Sequence, residues 1–170
     1  MGTPAQRSVE VFRVRPATFG IAAFAALLLQ SVLPLKIPLA RLFDLPLLVT
    51  IYFSLLRRSK VFGIGMGTVL GLLQDALAHG YIGTFGMAKA LVGFLAASAS
   101  VKFDLEQFTP RLIFAGALIF VHSIFLFALD RVLLESPPAF QPLDMLSGVL
   151  VNVALGLVLF QVLDHFKQPA

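Results

Sequence analysis

The stretch LFDLPLLVTIYFSLL-RRSK-VFGIGMGTVLGLLQ, residues 42–74, decides how this chain folds. Two apolar runs, Leu42–Leu56 and Val61–Gln74, flank a connector, Arg57-Arg58-Ser59-Lys60, that places three cations within four residues. Were the two runs a re-entrant hairpin, that tip would sit in hydrocarbon, where each cation costs about 2.5–3.5 kcal/mol at the bilayer centre. The segment is therefore expected to cross a membrane twice, as two short helices with the cations at one surface.

Working outward, the same reasoning finds four more spans of the length that hydrocarbon requires, about 20 residues. Ala17–Leu35 and Leu112–Leu129 carry no charge, and Tyr81–Val101 is interrupted only by Lys89. A last span lies near 143–163 and is uncharged from Met145. The expectation is an all-α, polytopic membrane protein with six transmembrane helices in a compact bundle. Residues 1–16 form a basic N-tail, 17–163 the membrane domain and 164–170 a short C-tail. Arg7, Arg13 and Arg15 before an apolar run resemble a signal peptide. The run is long for that role, and Gln30-Ser31-Val32-Leu33-Pro34 lacks a small-x-small cleavage site, so a retained first helix is expected.

Composition agrees. Of the 170 residues 58% are hydrophobic and 13% charged, half the charged share of an ordinary soluble domain. There are 17 Phe and no Trp, which leaves Tyr52 and Tyr81 as the interfacial aromatics of the usual kind. With no Cys, disulfides, thiolate metal sites and cysteine nucleophiles are excluded together.

The net charge of +4 is explained by topology and does not call for nucleic acid. Six spans put both termini on one side. That side would hold nine cations (Arg7, Arg13, Arg15, Arg57, Arg58, Lys60, Lys102, Arg111, Lys167), against three opposite (Lys36, Arg41, Arg131). The positive-inside rule then makes both termini cytoplasmic. Asp44, Asp75, Asp130, Glu135 and Asp144 fall at the outer ends. The longest outer connector, Asp130–Asp144, contains Pro137, Pro138 and Pro142 and is expected to be extended rather than helical.

Few residues are equipped for chemistry. Gly63, Gly67 and Gly71 recur at i+4 and share one helix face, a surface for close approach of another helix of this chain or of a partner. Gly63-x-Gly65-x-Gly67 has no preceding strand and no Walker lysine, so it is no nucleotide loop. Lys89 needs an anion, and Asp75 and Asp44 are the nearest, so a polar core of Asp44, Asp75 and Lys89 is expected, with Asp75 and Lys89 energetically coupled. A helix starting at Tyr81 puts Lys89 about 12 Å deep, and one starting near Gly86 puts it close to the surface. His122, Ser147 and Asn152 read as interhelical hydrogen-bonding residues. No Gly-x-Ser-x-Gly elbow or His-Glu-x-x-His motif is present, no metal site or cofactor is indicated, and nothing argues for an enzyme.

Phe43-Asp44-Leu45-Pro46, Arg57-Arg58, Gly67-x-x-x-Gly71-Leu72-Leu73-Gln74-Asp75, Ile82-Gly83 and Lys89, in that order, resemble the rod shape-determining protein MreD family over about a third of the chain. Asp44, Pro46, Gly71, Asp75 and Gly83 match the family pattern; the glycine face and Lys89 match more loosely. The resemblance implies a non-enzymatic scaffold of the bacterial elongation machinery in the cytoplasmic membrane. It would act with MreC and, directly or through MreC, with RodA and a class B penicillin-binding protein. It also implies a fold similar to the S-components of energy-coupling-factor transporters. Two other functions stay open on the residues alone. One is a solute-binding transporter subunit with an outward pocket near Asp44, Asp75 and Lys89; a polar pocket would favour it and an apolar filling would count against it. The other is an intramembrane hydrolase built on Asp75 and Asp130.

Overall fold

The computed structural model describes residues 16–78, 81–103, 105, 107–134 and 141–166. Among them every regular element is helical. The order is α1 (Pro16–Lys36), a 3-10 turn (Pro38–Leu42), α2 (Leu45–Arg57), α3 (Lys60–Ala78), α4 (Thr84–Lys102), α5 (Phe108–Leu133) and α6 (Pro142–Asp164). Residues 1–15 of the expected N-tail, residues 135–140 of the expected extended loop (Glu135, Pro137 and Pro138 among them) and Lys167 lie outside the described residues.

Five of these helices, α1 and α3 to α6, are long and apolar enough to cross a membrane. The sixth, α2, has 13 residues, about 20 Å at 1.5 Å per residue. It is the axis of the bundle: Pro46 to Leu55 are all buried, and α2 packs on each of the other five helices. Buried on every side, it holds even its polar Thr50 and Ser54 inside the bundle.

Polarity is arranged inside out. Large apolar side chains such as Ile21, Leu35, Val61, Ile113, Val132 and Leu150 are exposed, whereas Asp44, Gln74, Asp75, Lys89, Arg111, His122 and Asn152 are buried. Water would penalise that apolar surface, while lipid accepts it and forces polar groups inward to find partners. The chain is an all-helical, multi-pass membrane protein.

Four helix boundaries differ from expectation, and proline position accounts for two. Pro142 was expected in an extended loop, but it opens α6 at a position where its missing N–H would have had no intrahelical partner. Pro110 likewise falls in the first turn of α5, so that helix starts at Phe108 and takes in Arg111, expected in a connector. At its other end α5 continues through Asp130 to Leu133. Asp44 was expected inside a span. It is instead the N-cap of α2, its carboxylate accepting from Leu47 N at 3.0 Å, with Pro46 in the first turn.

Candidate functional site

The glycine face of α3 is filled by α4. A Cβ at Gly63 would strike the Gly93 carbonyl, one at Gly67 the Lys89 carbonyl, and one at Gly71 the backbone of Phe85 and Gly86. The two backbones meet with no side chains between them, the close approach that small residues permit in lipid. Gly63, Gly67 and Gly71 thus pack α3 on α4 inside the chain, and they offer no face to a partner.

That contact carries Lys89 into the interior. Lys89 is the sixth residue of α4, about 8 Å along its axis, between the two depths expected. It is fully buried, and its ammonium donates to Asp44 Oδ2 at 2.7 Å. The Phe85 ring lies 4.5 Å from Nζ and supplies a π-face beside the cation. One ion pair therefore joins the start of α2 to α4. The unpaired orientation of either charge would be far more costly than the pair is stabilising.

Asp75 does something else. It is buried in the last turn of α3, where its own helix dipole is unfavourable, but it faces the start of α4. Oδ2 accepts from Gly83 N at 2.8 Å and Gly86 N at 3.2 Å, and Oδ1 accepts from Phe85 N at 3.1 Å. Gly83 has φ +107°, a conformation open to glycine at little cost, and this turns its N–H toward the carboxylate. The residue expected to pair with Lys89 is thus an N-terminal cap supplied from the preceding helix. Both its oxygens accept from main-chain amides.

The backbone break between the 3-10 turn and α2 is sealed by two amide side chains. Gln30 on α1 donates from Nε2 to Phe43 O at 2.9 Å and accepts from Leu45 N at 3.0 Å. Asn152 on α6 accepts from Asp44 N at 2.8 Å and donates to Leu42 O at 2.8 Å. Four main-chain groups freed by the break are thereby satisfied, as non-helical backbone at membrane depth demands. Asn152 was foreseen as an interhelical hydrogen-bonder; Gln30 was not, though a lone Gln in an otherwise apolar span is the signal that marks it.

His122 on α5 is buried, its Nε2 3.9 Å from Asp44 Oδ2 and without a hydrogen-bond partner. Its ring stacks on Phe85, centroids 6.4 Å apart. Compared with known proteins, the chain matches no family model, no curated protein and no solved structure. The site therefore has to be read from its own geometry.

Beside the Asp44–Lys89 pair opens a cavity of about 510 Å³, bordered by Arg41, Asp44, Gln74, His122, Ser123, Asp130, Asp144 and Asn152, with Phe43, Phe85 and Phe127 among its walls. Polar groups of five helices converge on it. A smaller cavity of about 240 Å³ shares Phe85, Leu126 and Asp130 with it and reaches Asp75 and Tyr81.

At the opposite end of the bundle a second polar cluster escaped the sequence reading. Arg111 makes a two-pronged ion pair with Asp164 at the end of α6, and Tyr52 donates to Asp164 Oδ1 at 2.8 Å. The guanidinium stands among the rings of Tyr52, Phe108 and Phe160, each within 5.8 Å. Counted as a loop cation, Arg111 gave no hint of this, because its helix begins four residues earlier than apolarity alone suggests.

Proposed function

We propose that the chain is a non-enzymatic scaffold subunit of the bacterial rod, or elongation, machinery, of the MreD kind. It sits in the cytoplasmic membrane with six spans and cytoplasmic termini and works with MreC to couple cell-shape control to peptidoglycan synthesis. RodA and a class B penicillin-binding protein are its further partners, reached directly or through MreC.

One observation carries this reading. The residues that bear the resemblance are not scattered over the fold. Asp44 and Pro46 open α2, Gly71 and Asp75 close α3, and Gly83 with Lys89 starts α4, and these groups touch one another. A sequence pattern that coincides with a single interlocked unit of three helices is what a fold-defining family signature would produce. The described connectors are short, so the bundle's surface is lipid-facing helix, suited to binding another protein's membrane helix. With the glycine face occupied, partner contact falls to the outer faces.

The test is an affinity purification of the tagged chain from native membranes in mild detergent, with bound proteins identified by mass spectrometry. Recovery of MreC with the polymerase pair supports the scaffold. Recovery of a transporter's energising subunits would sink it.

A second reading, a solute-binding membrane subunit, is favoured by the cavity beside Asp44. Its polar lining is the feature that distinguishes a ligand pocket from a packing defect, which in lipid would be apolar.

A further inference from the structure

A groove of about 390 Å³ opens between α4 and α5. One wall runs from Leu95 to Lys102 on α4, and the other from Phe114 to Val121 on α5. Ser98, Ala99 and Ala117 are small and leave room that larger side chains would fill. On a surface turned toward lipid, such an opening takes in hydrocarbon, because an empty one would forfeit the dispersion contacts of its lining.

Length and charge decide what kind of molecule brings that hydrocarbon. The groove follows α4 for about 10 Å at 1.5 Å per residue. It is confined to one end of the bundle: α4 continues from Leu95 back to Thr84, and α5 from Val121 on to Leu133, without it. A partner's crossing helix would lie along the whole hydrocarbon depth, about 30 Å. A lipid occupies one leaflet, with its head at the surface and its chains inward. Lys102 is the one charged residue among those lining the groove, and it stands at the mouth, as the last residue of α4. It is exposed and forms no ion pair among the described residues. Lys60 reaches the same side of α4, its Nζ 5.7 Å from the ring of Phe94, the residue before Leu95. Arg57 and Arg58 belong to the same end, so cations stay in excess there even with Asp104 and Glu106, which follow Lys102 in the sequence.

We propose that this groove seats an acyl chain of an acidic phospholipid whose head is held by Lys102, with Lys60 adding to the field. A basic residue at the mouth of an apolar cleft between membrane helices favours a head of net negative charge over a zwitterionic one. The proposal holds under either functional reading.

The test uses the full chain in a neutral maltoside detergent and native mass spectrometry, with phosphatidylglycerol and phosphatidylcholine of the same acyl chains as probes. Phosphatidylglycerol is expected to be retained in preference, and Lys102→Gln to lower that preference about fivefold, the share of one lysine at a lipid surface. Lys102→Arg should keep it, and Lys36→Gln, at the other end of the bundle, should leave it unchanged. Ala117→Phe fills the groove from an exposed position and is expected to abolish lipid retention, with helicity by circular dichroism unaltered. Equal retention of the two lipids, a preference unchanged by Lys102→Gln, or retention unchanged by Ala117→Phe would each overturn the proposal. Because the chain has no Cys, Ala117→Cys carrying a benzophenone maleimide reports the occupant in native membranes. Cross-links to lipid are expected; a protein adduct as the main product would give the groove to a partner's helix and overturn the lipid assignment.

Discussion

Replacing Lys89 by Met tests whether the Asp44–Lys89 pair holds α2 to α4. Met keeps the length and apolar stem of the side chain and removes only the charge. Two unit charges about 4 Å apart at an effective dielectric constant of about 20 attract by roughly 4 kcal/mol. Removing one partner of a buried pair costs about 3–5 kcal/mol, because the other charge stays behind uncompensated. The two single variants are not equivalent. Asp44 keeps its bond from Leu47 N, and its side chain is 12% exposed to the cavity, so Lys89→Met is expected near the low end, about 3 kcal/mol. Asp44→Asn strands an ammonium whose side chain is 0% exposed, and its expected loss is near the upper end, about 5 kcal/mol. The double variant leaves no stranded charge and should lose no more than the milder single. Reversible unfolding by sodium dodecyl sulfate in mixed micelles, followed by circular dichroism, measures all three. Membrane reference states find partial partners of their own, so the coupling energy is expected to be at least about 1.5 kcal/mol rather than the full difference. Additive losses, with coupling under about 0.5 kcal/mol, would refute the reasoning. The same cycle on Asp75 and Lys89 should show the smaller coupling, since Asp75 is bound to amides.

Four other outcomes follow from the geometry. Gly67→Ala places a methyl group against the Lys89 carbonyl and is expected to destabilise by about 1–3 kcal/mol, whereas Gly65→Ala meets open space and gains up to about 1 kcal/mol of helix propensity. Equal effects in a detergent unfolding assay would show that α3 and α4 are not in backbone contact. Asp75→Ala orphans three amides and is expected to cost about 2 kcal/mol or more, with faster hydrogen exchange concentrated at Gly83, Phe85 and Gly86; unchanged exchange there speaks against the cap. Gln30→Leu and Asn152→Leu should each cost about 1–3 kcal/mol by exposing the break before α2, and a neutral effect of both would mean that other groups satisfy it. Because the chain has no Cys, single cysteines report topology cleanly: Ser59→Cys and Gln107→Cys are expected to react with an impermeant maleimide from the cytoplasmic side and Leu143→Cys from the other. Labelling of Ser59→Cys and Leu143→Cys from one side would exclude six spans.

What the sequence made legible was the part governed by composition and local pattern. Apolar runs, all free of charge but the one holding Lys89, located the five long helices to within a few residues, and the cations of Arg57-Arg58-Ser59-Lys60 separated α2 from α3. The i+4 glycines announced a close contact, though not whose backbone would fill it. That choice depends on α4 folding back through Gly83, whose φ no spacing rule fixes. Lys89 was legible as a buried cation in need of an anion, but its partner was not. Asp75 is much the nearer along the chain and was expected to couple to Lys89, and the way α4 begins decides for Asp44 instead. With Thr84 as the first helical residue, the free amides of the first turn claim Asp75, and Lys89 is left to reach Asp44. Arg111 and Asp164 were illegible for another reason. Each sits at a helix end that apolarity truncates, so both looked like surface charges.

The two functional readings differ in what they ask of the Asp44 region, and the geometry bears on that difference. A scaffold needs a rigid core that transmits no ligand state, and the pair at 2.7 Å, the three-amide cap and the two amide clamps provide it. Every one of these locks holds α2, α3 or α4 to a neighbour. None of them draws on Gln74, Asp130 or Asp144, and His122 lies at the margin of the pair without a bond to it. The cavity thus stands next to the locked unit and is walled largely by groups that the lock leaves unused. Variation of Gln74, Asp130 and Asp144 should therefore alter ligand binding without loosening the bundle, while variation of Asp44, Asp75 or Lys89 should loosen it. A scaffold whose partners bind equally well after the first set of changes, and poorly after the second, depends on the lock alone. Partner binding that tracks the cavity residues would instead make occupancy of the cavity part of how the scaffold works.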